Sequence, residues 1–271
     1  MKAAVLGSPV GHSLSPILHN AAYQALELDH TYCAIETTES ELGKFLDKVD
    51  SSWLGVSLTM PLKEVAFDFA EVCDELALRT GAINTLVFGN KIQASNTDVL
   101  GLVDAIGETQ AKDVTTGVII GSGATARSAL VALHKLGASH VNCVARNEPD
   151  IERLSNLASE LGVSFQRQVL ANSNWLTAEV VINTTPMGVM DADAREVSAP
   201  IGLLLDVVYN PWPTQLAASW AVNGGTIVSG LSMLLHQAGH QVTLMTGQPA
   251  PLMQMREALN AELLARGLST I

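Results

Sequence analysis

The segment Val118-Ile119-Ile120-Gly121-Ser122-Gly123-Ala124-Thr125-Ala126-Arg127 leads an apolar β-branched run through two glycines into a stretch where Leu130, Leu133 and Leu136 recur at helical spacing. This strand, tight turn and helix fits the pattern G-x-G-x-x-A. Glycines there let the backbone approach a pyrophosphate, and the start of the helix offers unpaired N–H groups and a favourable dipole. The same turn can exist without a ligand, so its weight comes from its place between an apolar strand and a periodic helix.

Short β-branched runs alternate with helical stretches along the whole chain, which predicts crossover units, a mostly parallel sheet and the α/β class. In the first hundred residues strands are expected at Ala3 to Leu6, Thr31 to Ile35 and Trp53 to Leu58. Ser15-Pro16 opens a helix as N-cap and first helical residue, with Ile17, Leu18, Ala21, Ala22 and Ala25 at helical spacing. Ile83 to Phe88 and Lys91 to Ala94 flank Gly89-Asn90, which predicts a hairpin with a two-residue turn. Hairpins are foreign to a purely parallel sheet, so this part reads as an N-terminal mixed-sheet α/β domain. A second series runs through Val114 to Ile120, a helix to Leu136, then His140 to Ala145, Val180 to Asn183, Leu203 to Val207 and Thr226 to Val228. It reads as a Rossmann-like, doubly wound dinucleotide-binding domain. A helix at Asp98 to Gly107 and the polar stretch Glu108 to Asp113 separate the two series, and helical patterns at Ser232 to Met245 and Pro251 to Leu264 close the chain.

Charge and composition narrow the partners. The chain has 271 residues, 48% of them hydrophobic, with 27 acidic against 15 basic side chains and a net charge of −12. Such apolar content excludes disorder, and so few cations leave no basic face for nucleic acid. The longest apolar runs fall far short of the ~20 residues that span a bilayer, and the short apolar start lacks a signal-peptide pattern. A cytoplasmic protein with no membrane partner is expected. Cys33, Cys73 and Cys143 form no Cys-x-x-Cys pair and read as reduced, packed thiols. His236 and His240 stand four apart, as zinc-binding histidines do, but Gln237 replaces the glutamate of H-E-x-x-H and no third ligand is near. No metal is expected, and the absence of a G-x-S-x-G elbow leaves serine esterase chemistry without an anchor.

About 20 residues beyond the glycines, a free ribose 2′-hydroxyl normally meets an acid, whereas a 2′-phosphate meets arginine. Here the second strand ends Val144-Ala145-Arg146-Asn147. Arg146 favours NADP, since its planar fork pairs with phosphate, while the nearby Glu148 keeps NAD open. Polar side chains gather where helices begin in Gly11-His12-Ser13-Leu14-Ser15-Pro16 and in Gly55 to Glu64. Pro61 is expected to start a short helix with Lys63 in its first turn, where a cation opposes the helix dipole, a setting that suits a catalytic lysine. Asn84 and Asp98 are further candidates, although Asp98 alone would serve as a helix cap.

Taken together, these segments resemble the shikimate dehydrogenase family over nearly the whole chain. Gly7-Ser8-Pro9-Val10-Gly11-His12-Ser13-Leu14-Ser15-Pro16 with His19-Asn20 is similar to the family's opening signature, which implies that Ser13 and Ser15 bond a substrate carboxylate. Thr59-Met60-Pro61-Leu62-Lys63 is similar to its catalytic-lysine segment. Gly81-Ala82-Ile83-Asn84-Thr85 and Asn96-Thr97-Asp98 match its next two motifs, implying that Asn84 and Asp98 reach the substrate hydroxyls. Asp206-Val207-Val208-Tyr209-Asn210-Pro211 and Gly230-Leu231-Ser232-Met233-Leu234 with Gln237 complete the set. The resemblance also implies substrate contacts at Thr59, Lys63, Tyr209 and Gln237. It implies cofactor contacts at Gly121, Ser122, Gly123, Ala124, Thr125, Ala126, Arg127, Ala145, Arg146, Asn147, Thr184, Thr185, Pro186, Val207 and Gly230.

The implied architecture is a discontinuous catalytic domain, residues 1–100 with 231–271, into which an NADP-binding domain, 101–230, is inserted, with substrate in the cleft between them. The implied reaction is hydride transfer from NADPH to the C3 carbonyl of 3-dehydroshikimate, in the biosynthesis of chorismate and the aromatic amino acids, with Lys63 and Asp98 handling the proton. Partners would be these small molecules, and a homodimer is compatible with the sequence. Some positions depart from the family pattern. Ala124-Thr125 stands where glycine and a small residue are common, Val99 where glycine often follows the aspartate, and Ala145-Arg146-Asn147 where Asn-Arg-Thr clamps the 2′-phosphate. Asp150 replaces a frequent second arginine. Competing functions are an NAD-dependent quinate/shikimate dehydrogenase, against which Arg146 speaks, and a non-catalytic dinucleotide-sensing regulator, disfavoured by the full polar set around Lys63 and Asp98.

Overall fold

In a computed structural model of the chain, β1 (Lys2–Gly7) is buried along nearly its whole length. Its period-2 alternation feeds two cores. Ala3 and Val5 pack with Tyr23, Tyr32 and Met245, while Ala4 and Leu6 pack with Leu42, Val56, Leu62 and Leu86 on the other face. A strand buried on both faces belongs to a sheet covered on both sides, as in a layered α/β fold. The structure describes residues 1–109, 111, 114–168, 177–198, 200 and 202–271, so part of the expected boundary stretch Glu108 to Asp113 lies outside the described residues. The chain divides into two units, one of Met1–Gly101 with Leu234–Ile271 and the other of Leu102–Met233.

The first unit holds a mixed sheet in which β1 lies parallel to β2 (Thr31–Glu36) on one side and β3 (Trp53–Leu58) on the other. Beyond β3 come β5 (Thr85–Val87), antiparallel to both its neighbours, then β6 (Gln93–Ser95) and the short β4 (Val72–Cys73) at the edge. Helices α1 (Ser15–Ala25), α2 (Glu39–Leu46), α3 (Leu62–Val65) and α4 (Glu75–Thr80) join these strands, and α5 (Asp98–Gly107) follows β6 and leads into the second unit. α2 begins with a capping box, Thr38 and Glu41 satisfying each other's backbone N–H groups.

Three details differ from the sequence expectations. The hairpin connection runs from Phe88 to Ile92 rather than through two residues, because β5 and β6 pair only to Val87 and Gln93. Phe88 and Ile92 pack on the core, the Phe88 N–H goes to Leu54, and the Ile92 carbonyl accepts from Glu71 and Val72, so neither is available to extend the hairpin ladder. Ser15 is the first residue of α1 rather than its cap. The cap position falls on Leu14, which gives no side-chain bond, while Ser13 Oγ, two residues before Ser15, accepts the Ser15 N–H at 3.2 Å. Cys33 is not packed: it is exposed on β2, an edge strand, although Cys143 is buried and all three thiols are free.

The second unit is a six-stranded, all-parallel sheet in the order β12-β11-β10-β7-β8-β9. Its strands are β7 (Thr116–Ile120), β8 (His140–Val144), β9 (Ser164–Gln168), β10 (Val180–Asn183), β11 (Leu203–Asp206) and β12 (Thr226–Ser229), with α6 (Ala124–Lys135), α7 (Glu148–Glu160) and α8 (Gln215–Val222) in the crossovers. The strand order reverses between β7 and β10, the switch point of a doubly wound fold where ligands bind at the carboxyl ends of the strands. β9 escapes the sequence pattern because Ser-Phe-Gln-Arg-Gln has one apolar residue and lies at a sheet edge. From β12 the chain enters α9 (Gly230–Thr246), which carries it back into the first unit, and α10 (Leu252–Ala265) packs on α1.

Leu6 is fully buried on β1, an inner strand of the first sheet. Leu6→Ala is expected to lower unfolding free energy by about 2–5 kcal/mol, the range for a core cavity, measured by urea denaturation. A loss below about 1 kcal/mol would show that this core collapses around the gap.

Candidate functional site

In the first unit, strand direction brings separate polar segments to one end of the sheet. β1 and β3 run parallel and finish together, and their following loops are tied by Thr59 N–H to Leu6 and Ser8 N–H to Met60. Antiparallel β5 starts where β3 ends, with Leu58 N–H donating to the Asn84 carbonyl at 2.8 Å, and β6 ends beside it, with Asn84 N–H donating to Ser95 at 3.0 Å. The loop after β1 carries Ser13, the loop after β3 leads to Lys63, Asn84 precedes β5, and Asn96-Thr97-Asp98 follows β6.

Lys63 Nζ donates to Asp98 Oδ2 at 2.5 Å, with the two side chains only 16% and 7% exposed, so the pair is shielded from solvent screening. The helix expected at Pro61 is a single turn, α3, continued by a 3-10 turn at Ala66–Phe69. One turn carries little macrodipole. The charge that faces Lys63 is therefore the Asp98 carboxylate, and the Lys63 carbonyl is held by the Ile83 N–H at 2.8 Å. Asp98 opens α5, with Asn96 Oδ1 accepting its N–H at 3.0 Å.

Asn84, buried, organises the rest. Its Oδ1 accepts the Thr97 N–H at 2.8 Å and the Thr85 hydroxyl at 2.8 Å, which fixes the amide so that Nδ2 donates to Asp98 Oδ1 at 2.9 Å. Gln237 on α9 brings Oε1 to 3.4 Å from both Asn84 Nδ2 and Thr97 Oγ1. Behind this lies Gln241, which sequence motifs did not single out. Its Nε2 donates to the Asn84 carbonyl and to Thr85 Oγ1 at 3.2 and 3.0 Å, and its Oε1 accepts from Ser57 at 2.8 Å and faces His19 Nε2 at 3.2 Å. The Tyr32 hydroxyl donates to Ser57, and its ring stacks on His19 with centroids 3.9 Å apart. One turn of helical spacing from Gln237 is the signal that Gln241 shares its helix face. Ser15 is buried, Ser13 and Thr59 are half-buried, and Tyr209 follows β11 in the second unit.

In the second unit the glycine-rich turn sits between β7 and α6. Gly121 has φ +108° and lies against Thr184, so a side chain is excluded twice over. Gly123 differs: its φ is −76°, and a Cβ there would meet no protein atom within 4 Å. Nothing in the fold itself requires glycine at that position. A side chain would instead project into open space at the start of α6, whose cap residue provides no side-chain bond to the first-turn N–H groups, and this is the setting that suits a pyrophosphate. A cleft of about 480 Å³ adjoins the turn, within the range of ligand pockets. Of the expected cofactor residues, Gly121, Ser122, Ala145, Arg146, Asn147 and Thr185 line it.

The others do not line this cleft. Ala124 and Thr125 are half-buried, and Ala126 and Arg127 are buried in α6. Thr184 bonds the Ile120 carbonyl, Pro186 lines a separate small crevice, and Gly230 lies against the Val207 backbone. Thr185 is steadied by Asn183, which in turn donates to Asp206. Burial pushes the Asp206 carboxyl up, against the hydrogen bonds from Thr214, Val208 and Asn183. The cleft also includes Arg167 and Gln168 of β9, a strand without a legible signal. Among the described residues no cluster of three or more His, Cys, Asp or Glu could hold a metal ion.

A profile of the shikimate dehydrogenase substrate binding domain matches residues 5–86, and one of the shikimate 5′-dehydrogenase C-terminal domain matches residues 230–259. The NADP(+) shikimate dehydrogenase of Methanococcoides burtonii is 34% identical, over 94% of this chain and 96% of the relative. This chain belongs to the shikimate dehydrogenase family. The crystal structure of Mycobacterium tuberculosis shikimate dehydrogenase superimposes with a TM-score of 0.89 at 42% identity, covering 96% of this chain and 99% of that one. The Thermus thermophilus shikimate 5-dehydrogenase, solved in complex with NADP(H) and shikimate, gives 0.84 at 30% identity, covering 96% and 99%.

Burial lowers His19 to about 3 from its usual 6.5, outweighing its bond to Gln241. The folded chain thus keeps the ring neutral where the unfolded chain takes up a proton. Stability from this source is complete above pH 6.5 and is lost as pH falls toward 3, by up to roughly 1.4 kcal/mol per pH unit. His19→Gln is expected to flatten the acid limb of unfolding free energy in that window, read by urea denaturation at stepped pH. An unchanged limb would assign acid sensitivity to other groups.

Proposed function

We propose that this chain is an NADP-dependent shikimate dehydrogenase, reducing 3-dehydroshikimate reversibly to shikimate on the route to chorismate and the aromatic amino acids. Its main support is the shielded Lys63–Asp98 pair, bonded by Asn84 on the second carboxylate oxygen. Residues 1–100 with 231–271 then form the substrate-binding catalytic domain, and 101–230 hold the cofactor. Gly121, Ser122 and Gly123 would cradle the pyrophosphate at the start of α6, with Ala145, Arg146, Asn147 and Thr185 along the cleft. NADPH, when bound, supplies the hydride that adds to the C3 carbonyl carbon.

The carbonyl oxygen gains negative charge as the hydride arrives and needs a proton. Lys63 has three N–H donors; Asp98 takes one, and the others are available to that oxygen. Lys63 thus stabilises the developing alkoxide and donates the proton, and in oxidation it takes the proton from the hydroxyl. Asp98 aims the lysine and, with Asn84, accepts or donates at the substrate's other hydroxyls, joined by Thr59 and Gln237. Ser13 and Ser15 offer neutral hydroxyl donors to the carboxylate. Local donors of this kind explain how a chain of charge −12 can bind two anions without a broad positive field. Both ligands are diffusible, which suits a cytoplasmic enzyme, and no described helix is long and apolar enough to cross a membrane.

Cofactor absorbance with purified protein, comparing NADP with NAD and shikimate with quinate, tests the proposal. Shikimate oxidation with NADP is expected, and no oxidation with either nucleotide would reject the function. Lys63→Ala is expected to lower kcat by ~100-fold or more while the Kd for NADPH holds; unchanged turnover would remove Lys63 from the chemistry. Arg146→Ala is expected to raise KM for NADP more than for NAD, and an equal rise would mean that Arg146 does not read the 2′-phosphate.

A further inference from the structure

We infer that Arg167 is a second reader of the cofactor's 2′-phosphate, held ready by its ion pair with Glu148; this rests on the NADP reading above. Arg167 and Arg146 line the same cleft beside the glycine turn. They reach it from different strands. Arg146 follows the end of β8, whereas Arg167 is the next-to-last residue of β9, at the carboxyl edge where open α/β sheets bind ligands. The parallel register pairs Arg167 with Cys143, and paired residues share a face of the sheet. Cys143 Sγ in turn contacts the Gly121 carbonyl at 3.6 Å, so that face carries the glycine turn.

The partner of Arg167 is the acid that would otherwise signal NAD. Arg167 Nη1 is bonded to Glu148 Oε1, in the first turn of α7. An unneutralised carboxylate beside Arg146 would repel a 2′-phosphate and would be available to accept a bond from a free ribose 2′-hydroxyl. The ion pair offsets the charge and occupies one of the carboxylate oxygens. The two side chains are 44% and 68% exposed, and a solvated pair of that kind is weak. A phosphate dianion offers Arg167 a stronger, bidentate partner, and the guanidinium keeps further N–H donors while Glu148 holds Nη1. Asp150 pairs with Arg153 at 3.7 Å, so the position that departs from the family's second arginine is itself neutralised. Arg167, from the neighbouring strand, supplies the second cation.

The test titrates the full chain and its variants with NADPH and NADH by nicotinamide fluorescence, and with adenosine 2′,5′-bisphosphate and adenosine 5′-monophosphate by calorimetry. Wild type binding none of these would defeat the NADP reading itself. With wild type preferring NADPH, Arg167→Ala is expected to weaken NADPH and the bisphosphate by about tenfold, the loss of one charge-assisted contact, with NADH and the monophosphate nearly unchanged. Glu148→Gln, which releases Arg167, is expected to tighten NADPH. The double variant Arg167→Ala with Glu148→Gln separates direct contact from mere neutralisation: it is expected to bind NADPH more weakly than Glu148→Gln alone. An unchanged NADPH-to-NADH preference in Arg167→Ala, or equal NADPH affinity in the double variant and Glu148→Gln, would overturn the inference.

Discussion

The side-chain amide of Asn84 ties together the polar segments of the first unit. It is buried where β3, β5 and β6 meet, and it can turn its nitrogen toward Asp98 only because two donors, the Thr97 N–H and the Thr85 hydroxyl, occupy its oxygen. Reversed, the amide would set an acceptor against a carboxylate and two donors against each other, a costly arrangement in a buried site. The orientation of Asp98, and through it of Lys63, thus follows from backbone and side-chain donors that never touch the pair. Gln241 extends this support to Ser57, Tyr32 and His19, so these groups form one connected set with Asn84 and Asp98.

Connectivity of this kind has consequences for stability as well as function. Buried polar groups are tolerable when their partners are present, and the network places a neutral histidine, an amide and hydroxyls in the interior rather than extra charges. The Lys63–Asp98 ion pair is hydrogen-bonded on both carboxylate oxygens. In the second unit Asp206 follows the same rule, its carboxylate held by Asn183, Thr214 and the Val208 N–H, and through Asn183 it steadies Thr185 at the cleft. Each unit thus uses a buried amide to hold a carboxylate, Asn84 with Asp98 and Asn183 with Asp206.

Much of the architecture is legible from the chain because apolar period and turn chemistry act locally. The strands from Val180 and Leu203, the helix from Asp98 to Gly107 and the turn at Gly121 all lie where their residues predict. Expectations go astray where distant partners intervene. The Gly89-Asn90 turn gives way to a longer connection because Phe88 and Ile92 have better uses in the core and at β4. β9 is invisible because an edge strand needs few apolar residues, and Gln241 looks like one more polar residue on an amphipathic helix until its four hydrogen-bonding partners are assembled.

Residue identities by themselves determined the α/β class, the glycine turn, and the candidates Lys63, Asn84, Asp98 and Arg146, since motif spacing and backbone preferences are properties of short segments. Only the tertiary structure decided that these segments meet. The reversal of β5 against β3 brings Asn84 back to the end of the sheet that Lys63 leaves from, and the parallel pairing of β8 with β9 sets Arg167 beside Arg146 at one cleft. Strand direction and register are long-range choices made by packing, so no local reading of either segment contains them.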